Sequence, residues 1–234
     1  AAKINQDLIL PLAKVGDENP CVYENGVVRT PPGYKDVYSK YIQDGWTSLS
    51  CDPKYGGQGM PKTVSTFFEE MLSSASLSFK LYSELSIGAY NCILHHGSDE
   101  IKNKFLPKIV EGKWSGTMCL TEPQCGTDLG LIKTKAVKDE NGLYKISGQK
   151  IFITSGDHDL TDNIIHLVLA RTPDAPKGTR GISLFLVHAK CMATKSNVKK
   201  TQAKCSVTNP NIKKTQAKCT ATKPKVKKRN AKCT

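Results

Sequence analysis

The segment best suited to chemistry is 118–128, which reads Met-Cys-Leu-Thr-Glu-Pro-Gln-Cys-Gly-Thr-Asp. Its apolar start predicts a strand, and Pro123 and Gly126 predict a tight turn after it. The backbone N–H groups of such a turn can converge on one ligand, and Thr121 and Thr127 add hydroxyls. This donor set suits an acceptor-rich group such as a pyrophosphate or the edge of a flavin ring. From spacing alone, a plain hairpin turn is the simpler interpretation.

Other polar clusters give weaker indications. Asp157-His158-Asp159 has the residue types of a metal site or a catalytic pair, but a polar turn between strands is the simpler interpretation. His95-His96 is placed to cap a helix end rather than to bind a metal. The nine cysteines include no C-x-x-C pair, so we expect no zinc site and no other metal centre. Residues 55–59, Tyr-Gly-Gly-Gln-Gly, lack the Gly-Lys-Ser/Thr ending of a phosphate-binding loop.

The elements that must position the 118–128 segment fall into two regions. Residues 1–114 have helical periodicity and predict an all-α domain that contains a small hairpin at 21–30. Pro61 is suited to the first position of a helix, a further helix is expected over 82–95, and Ser98 is expected to cap the next. Pro107 predicts a break in that helix.

A β-rich region is expected over 115–187. Short apolar or alternating runs separated by polar turns predict its strands. The runs are 117–120, 131–137, 144–148, 150–154, 163–170 and 182–187. The fold class is therefore α+β, with a helical domain followed by a partial β-barrel.

The tail, 188–234, has a different composition. It carries 14 of the 34 basic residues and none of the 21 acidic ones, so the net charge of +13 belongs to the tail and the body is near neutral. A 14-residue repeat runs through it, AKCMATKSNVKKTQ, AKCSVTNPNIKKTQ and AKCTATKPKVKKRN. Few apolar residues, unopposed charge and the helix-breaking Pro210 and Pro224 predict disorder rather than a coiled coil. A polybasic segment of this kind could bind nucleic acid or anionic surfaces through counterion release, which is the alternative function.

Residues 118–128 closely resemble the C-x-T-E-P-x-x-G-[ST]-D motif of the acyl-CoA dehydrogenase family. A second family element, Gly-x-Lys followed by an aromatic-Ile-Thr ending, matches 148–154, Gly-Gln-Lys-Ile-Phe-Ile-Thr. Upstream, Tyr55-Gly56-Gly57 and His96-Gly97-Ser98-Asp99-Glu100 keep the family order. Further segments, including Thr30-Pro31-Pro32-Gly33-Tyr34, are similar to the 3-methylmercaptopropionyl-CoA dehydrogenase branch.

This resemblance implies an FAD site. It places Leu120 and Thr121 against the pyrimidine edge of the isoalloxazine ring, Thr127 at the pyrophosphate and the substrate, and Thr154 near flavin N5. Phe152 stands where many relatives have Trp. The residues expected to contact the flavin are Met118, Cys119, Leu120, Thr121, Gly126, Thr127, Phe152, Ile153 and Thr154.

The resemblance further implies the α,β-dehydrogenation of an acyl-CoA thioester, with an electron-transfer flavoprotein as electron acceptor and a homo-oligomeric assembly. The family's catalytic Glu belongs to a C-terminal helical domain, whereas family-like sequence is recognised here only as far as 187. We therefore expect no catalytic residue in this chain and no turnover by the chain alone. Scattered cysteines and the absence of a signal-peptide core indicate a cytoplasmic protein, with the mitochondrial matrix as the alternative.

Overall fold

The computed structural model describes residues 1–140, 143–189, 203–208 and 216–219. A helical region precedes a mixed sheet, which confirms the α+β prediction. A π-helical segment, Asn5–Ile9, joins the first two helices. The helices are α1 (Ala2–Ile4), α2 (Leu10–Glu18), α3 (Tyr34–Gln43), α4 (Lys62–Ala75), α5 (Leu77–His96) and α6 (Asp99–Val110).

Local sequence explains where the helices begin. Gly33 adopts φ 80°, a left-handed conformation that glycine reaches without strain, and α3 starts directly after it. The Ser76 side chain accepts a hydrogen bond from Phe79 N and caps α5, which is longer than the predicted 82–95. Ser98 caps α6 in the same way, as predicted.

The prediction that Pro107 breaks its helix was wrong, because α6 runs through it. Phe105, Leu106 and Ile109 on the same helix are fully or almost fully buried. Their packing outweighs the lost backbone hydrogen bond, which is a tertiary effect that local propensity does not contain.

The helices are held together by an aromatic cluster. Tyr41 lies edge-on to Phe79 with ring centroids 5.7 Å apart, and Trp46 stacks on Phe68 at 4.3 Å. Tyr34 and Tyr38 complete the cluster and are almost fully buried. Aromatic pairs at such distances stabilise beyond their buried area, so this cluster is the centre of a core to which the β-region adds Leu160.

The strands form two sheets. The predicted hairpin at 21–30 is confirmed as β1 (Val22–Glu24) and β2 (Val27–Arg29). The large sheet has the order β3-β6-β4-β5-β9-β8-β7, and β7 also pairs with β6, so six of its strands close into a ring. Its strands are β3 (Trp114–Cys119), β4 (Lys135–Lys138), β5 (Tyr144–Ser147), β6 (Asn163–Arg171), β7 (Ile182–His188), β8 (Ala203–Thr208) and β9 (Gln216–Cys219).

Two strands of the ring come from the tail. The segments β8 and β9 form strands instead of the predicted disorder, because β7 and β5 offer open edges whose N–H and C=O groups need partners. They pair with each other antiparallel, so two copies of the repeat meet. The rest of the disorder prediction concerns residues outside the described part of the chain.

The predicted strand at 150–154 is not formed. Phe152 has φ 55° and Ser155 has φ 53°, and both values lie in the left-handed region that a strand excludes. The segment 148–154 is therefore a loop that follows β5. This loop carries three of the nine residues predicted to contact the flavin, Phe152, Ile153 and Thr154, out of the sheet.

Helix α5 fixes the position of the sheet. Ser86 on α5 accepts a hydrogen bond from Gly116 N at 3.1 Å. A Cβ atom on Gly116 would lie 2.3 Å from Ala89 Cβ, so only glycine permits this close approach of β3 to α5. Ile165 and Leu167 of β6 pack with α5 and α6 in one buried cluster. Among the described residues, no helix is long and apolar enough to cross a membrane.

Candidate functional site

The two segments singled out from the sequence meet at the end of β3. After Cys119 the chain leaves the sheet, and Glu122 and Cys125 exchange backbone hydrogen bonds of 2.8 and 3.1 Å around a tight turn. Ile151 N donates to Thr121 O at 3.0 Å, which joins the 148–154 loop to this turn. Residues 30 positions apart in sequence therefore form one surface.

A buried ion pair holds the two segments in register. Lys150 Nζ lies 2.9 Å from Glu122 Oε1, with the two side chains only 4% and 2% exposed. Glu122 also accepts from Lys133 N at 2.8 Å, from Thr134 N at 3.0 Å and from the Thr134 hydroxyl at 2.6 Å. Buried charges are tolerated when paired and hydrogen-bonded in this way.

These contacts decide the protonation state of Glu122. Burial by itself raises the pKa of the carboxyl, but the hydrogen bonds from Thr134, Lys133 and Lys150 outweigh it and lower the pKa to about 2. The group is therefore an anion at neutral pH, and its acceptor positions are engaged. A carboxylate in this condition is a structural anchor and a poor general base.

The exposed side of this surface carries an aromatic ring. Phe152 is 87% exposed although its backbone is held at φ 55°, a conformation that costs a non-glycine residue of order 1–2 kcal/mol. The next residue, Ile153, is half-buried and packs against the interior of the sheet ring. Backbone strain of this kind clusters at ligand-binding sites, so the exposed ring of Phe152 is a candidate ligand contact.

Several hydrogen-bonding groups on the two joined segments are unused. In the described part of the chain, the hydroxyls of Thr121, Thr127 and Thr154 have no hydrogen-bond partner, and neither has the amide N–H of Thr121. Thr127 and Thr154 are exposed, and Thr121 is half-buried. Free hydroxyl and amide donors on segments that also expose an apolar ring fit a flavin, which has a flat ring system and an acceptor-rich edge and tail.

The remaining residues predicted to contact the flavin do not all lie on the same side of β3. Met118 is 37% exposed, and Leu120 and Gly126 are half-buried next to the same turn. Cys119 has its side chain on the opposite face, fully buried, with its sulfur 3.6 Å from His166 Nδ1. Only the Cys119 backbone is available for the proposed flavin contact.

The Asp157-His158-Asp159 segment ties the β-region to the helical region. Asp159 accepts hydrogen bonds from Thr30 N at 3.1 Å and from the Thr30 hydroxyl at 2.7 Å. His158 is buried, accepts from Leu160 N at Nδ1, and therefore carries its proton on Nε2, which faces the Ser115 hydroxyl at 3.1 Å. The segment is a connecting turn. No group of three potential metal ligands is found among the residues that the structure describes.

Sequence reasoning missed Glu122 and Lys150 as functional partners. Each belongs to a motif that was recognised, but neither was given a role. The available signal was Glu122 in the middle of the first segment and Lys150 as the one charged residue of the second, since such charges are rarely buried unless they pair.

Comparison with known proteins gives the same assignment for both regions. Residues 23–113 match the family "Acyl-CoA dehydrogenase, N-terminal domain", and residues 117–218 match "Acyl-CoA dehydrogenase, middle domain". The second match extends beyond 187 into the repeat and includes β8.

Individual proteins that are similar to this chain are acyl-CoA dehydrogenases as well. The chain is 50% identical over 181 residues to 3-methylmercaptopropionyl-CoA dehydrogenase of Ruegeria pomeroyi, which covers 77% of this chain and 31% of that protein. It is 44% identical to a butyryl-CoA dehydrogenase of Syntrophomonas wolfei, over 79% of this chain and 31% of that protein. The crystal structure of acyl-CoA dehydrogenase from Geobacillus kaustophilus superposes with a TM-score of 0.64 at 28% identity, covering 86% of this chain and 47% of that one.

The chain thus spans about a third of the length of these two sequence relatives. Both family domains occur in order, and together they account for most of the chain. The protein belongs to the acyl-CoA dehydrogenase family.

Proposed function

We propose that this chain forms the flavin-facing part of an FAD-dependent enzyme that dehydrogenates acyl-CoA thioesters between the α and β carbons. The observation that carries the proposal is the 3.0 Å hydrogen bond from Ile151 N to Thr121 O, which brings the two family motifs together beside the exposed ring of Phe152. When bound, FAD would supply the hydride acceptor.

The residues of the chain have distinct tasks in this proposal. Thr121 would offer an amide N–H and a hydroxyl to the edge of a bound flavin ring, Phe152 would cover a ring face, and Thr154 would offer a hydroxyl to the hydride-accepting side. Thr127, which is exposed at the turn, would offer its hydroxyl to the pyrophosphate and to the substrate. The buried Glu122–Lys150 pair keeps these groups at fixed separations.

Proton abstraction from the α carbon requires a base, and Glu122 does not fit that role. Its pKa of about 2 and its contacts with Lys133, Thr134 and Lys150 leave it little tendency to accept a proton. We propose that the base comes from residues outside this sequence, as the family resemblance implies, so that the 234 residues alone bind FAD but do not turn over.

The partners follow from the same proposal. The substrate is an acyl-CoA thioester, and the electron acceptor is an electron-transfer flavoprotein, as the family resemblance implies.

FAD titration of the purified chain tests the proposal. We expect quenching of flavin fluorescence on binding, and weaker binding by Thr154→Val, because one donor is lost at nearly constant volume. Thr66→Val is the matched control, since the Thr66 hydroxyl donates to Lys62 O on α4, away from the site. Absence of FAD binding, or equal weakening by both variants, would contradict the proposal.

A dye-reduction assay with acyl-CoA substrates tests the proposal that the chain alone does not turn over. We expect no turnover by the FAD-loaded chain. Clear turnover would show that the chain contains a base that the proposal overlooks.

A further inference from the structure

Lys150 makes a contact that goes beyond its pairing with Glu122. The same Nζ atom donates to Leu120 O at 2.9 Å, while it lies 2.9 Å from Glu122 Oε1. The Lys150 side chain is 4% exposed, so water screens these contacts very little. A backbone carbonyl at the end of β3 is thus held next to a buried positive charge.

That carbonyl belongs to the same peptide group as the amide N–H of Thr121. A cation at the oxygen draws electron density along the peptide group and makes the N–H a stronger donor, because hydrogen bonds that share a peptide group polarise one another. The Thr121 N–H has no acceptor among the residues that the structure describes. The polarised donor is therefore available to a ligand.

The following peptide group is fixed as well. Thr121 O accepts from Ile151 N at 3.0 Å. Two consecutive residues, Lys150 and Ile151, therefore contact the two peptide groups that flank Thr121. This arrangement limits the rotation of the Thr121 amide and fixes its direction.

We propose that Lys150 is a positioning residue that strengthens the Thr121 amide as a donor to the flavin ring edge and thereby makes the bound flavin easier to reduce. The inference rests on the proposed function. A reduced flavin carries more electron density at its pyrimidine edge than the oxidised form does. A stronger, preorganised donor at that edge consequently stabilises the reduced form more.

If Lys150 only stabilised the fold, flavin potential and thermal stability would change together in its variants. Three variants distinguish this structural role from the proposed positioning role. Lys150→Met removes the charge and leaves Glu122 unpaired. Lys150→Arg keeps the charge. The double variant Glu122→Gln/Lys150→Met removes both charges, which restores charge balance in the buried site without restoring the polarisation.

The reduction potential of bound FAD, measured by spectroelectrochemistry, is the main readout. We expect a lower potential for Lys150→Met and for the double variant, and a value near that of the unsubstituted protein for Lys150→Arg. The FAD dissociation constant should rise on the order of fivefold in the double variant, as one charge-assisted hydrogen bond becomes neutral. The melting temperature should fall in Lys150→Met and recover partly in the double variant.

A second readout does not need flavin. In the protein without FAD, the Thr121 amide proton resonance should move upfield when Lys150 is replaced by Met, because the N–H becomes less polarised. An unchanged amide shift, or a double variant that recovers the potential together with the melting temperature, would overturn the role of Lys150. Failure of the unsubstituted protein to bind FAD would instead overturn the proposed function and this inference with it.

Discussion

Phe152 offers a test in which stability and ligand binding should change in opposite directions. The residue is 87% exposed and has φ 55°, so its side chain contributes little burial while its backbone is strained. Replacement by glycine removes the strain, and replacement by alanine keeps it. The pair of variants therefore separates the backbone effect from the loss of the ring.

The size of the effect follows from these two observations. Release of a left-handed conformation is worth about 1–2 kcal/mol, and the greater freedom of glycine in the unfolded chain costs about 0.5–1 kcal/mol. Loss of the small buried fraction of the ring costs a few tenths of a kcal/mol. Phe152→Gly should therefore raise the free energy of unfolding by about 0.5 kcal/mol, and Phe152→Ala should leave it nearly unchanged.

FAD affinity, unlike stability, should fall in both variants. An aromatic contact is worth about 0.5–1.5 kcal/mol, so both variants should bind FAD roughly twofold to tenfold more weakly. Urea denaturation of the flavin-free protein and fluorescence titration with FAD measure the two quantities. A destabilised Phe152→Gly protein, or unchanged FAD affinity in both variants, would refute the reasoning.

Three further predictions concern the scaffold. Burial lowers the pKa of His158 and of His166 from 6.5 to about 4, so between these pH values the unfolded chain binds protons that the folded protein does not bind. The free energy of unfolding should therefore be at its full value above pH about 6.5 and should fall towards pH 4 by up to about 3 kcal/mol per histidine. Denaturation at a series of pH values measures this change, and a flat profile over this window would contradict the prediction. Gly116→Ala should cost about 1–3 kcal/mol because its Cβ would meet Ala89, whereas Gly88→Ala, with open space around it, should be neutral or slightly stabilising. Ending the chain after Ala189 removes β8 and β9, so amide exchange in β5 and β7 should accelerate; unchanged protection would show that these strand edges do not depend on the tail.

Much of the scaffold could be predicted from local sequence. The hairpin at 21–30 and the capped start of α6 depend on neighbouring residues, and both are confirmed. Three features could not be predicted in this way. Helix α6 continues through Pro107 because of its buried face, the 150–154 segment leaves the sheet because of left-handed residues, and β8 and β9 pair because distant strand edges are open.

The candidate site also combines features that the sequence predicts with features that depend on packing. Its motifs are visible in the sequence because the family resemblance identifies them. The contact between Lys150 and Leu120 O, and the position of Cys119 on the buried face of β3, depend on how two separate segments pack. Residue types alone do not determine such contacts.

The central claim is that 118–127 and 150–154 form one flavin-binding surface. Hydrogen–deuterium exchange of the chain with and without FAD tests it directly, because a ligand slows exchange where it covers or orders the backbone. We predict that FAD protects peptides from both segments and leaves α4 unchanged. Protection confined to one segment or found elsewhere, or no protection at saturating FAD, would contradict the claim.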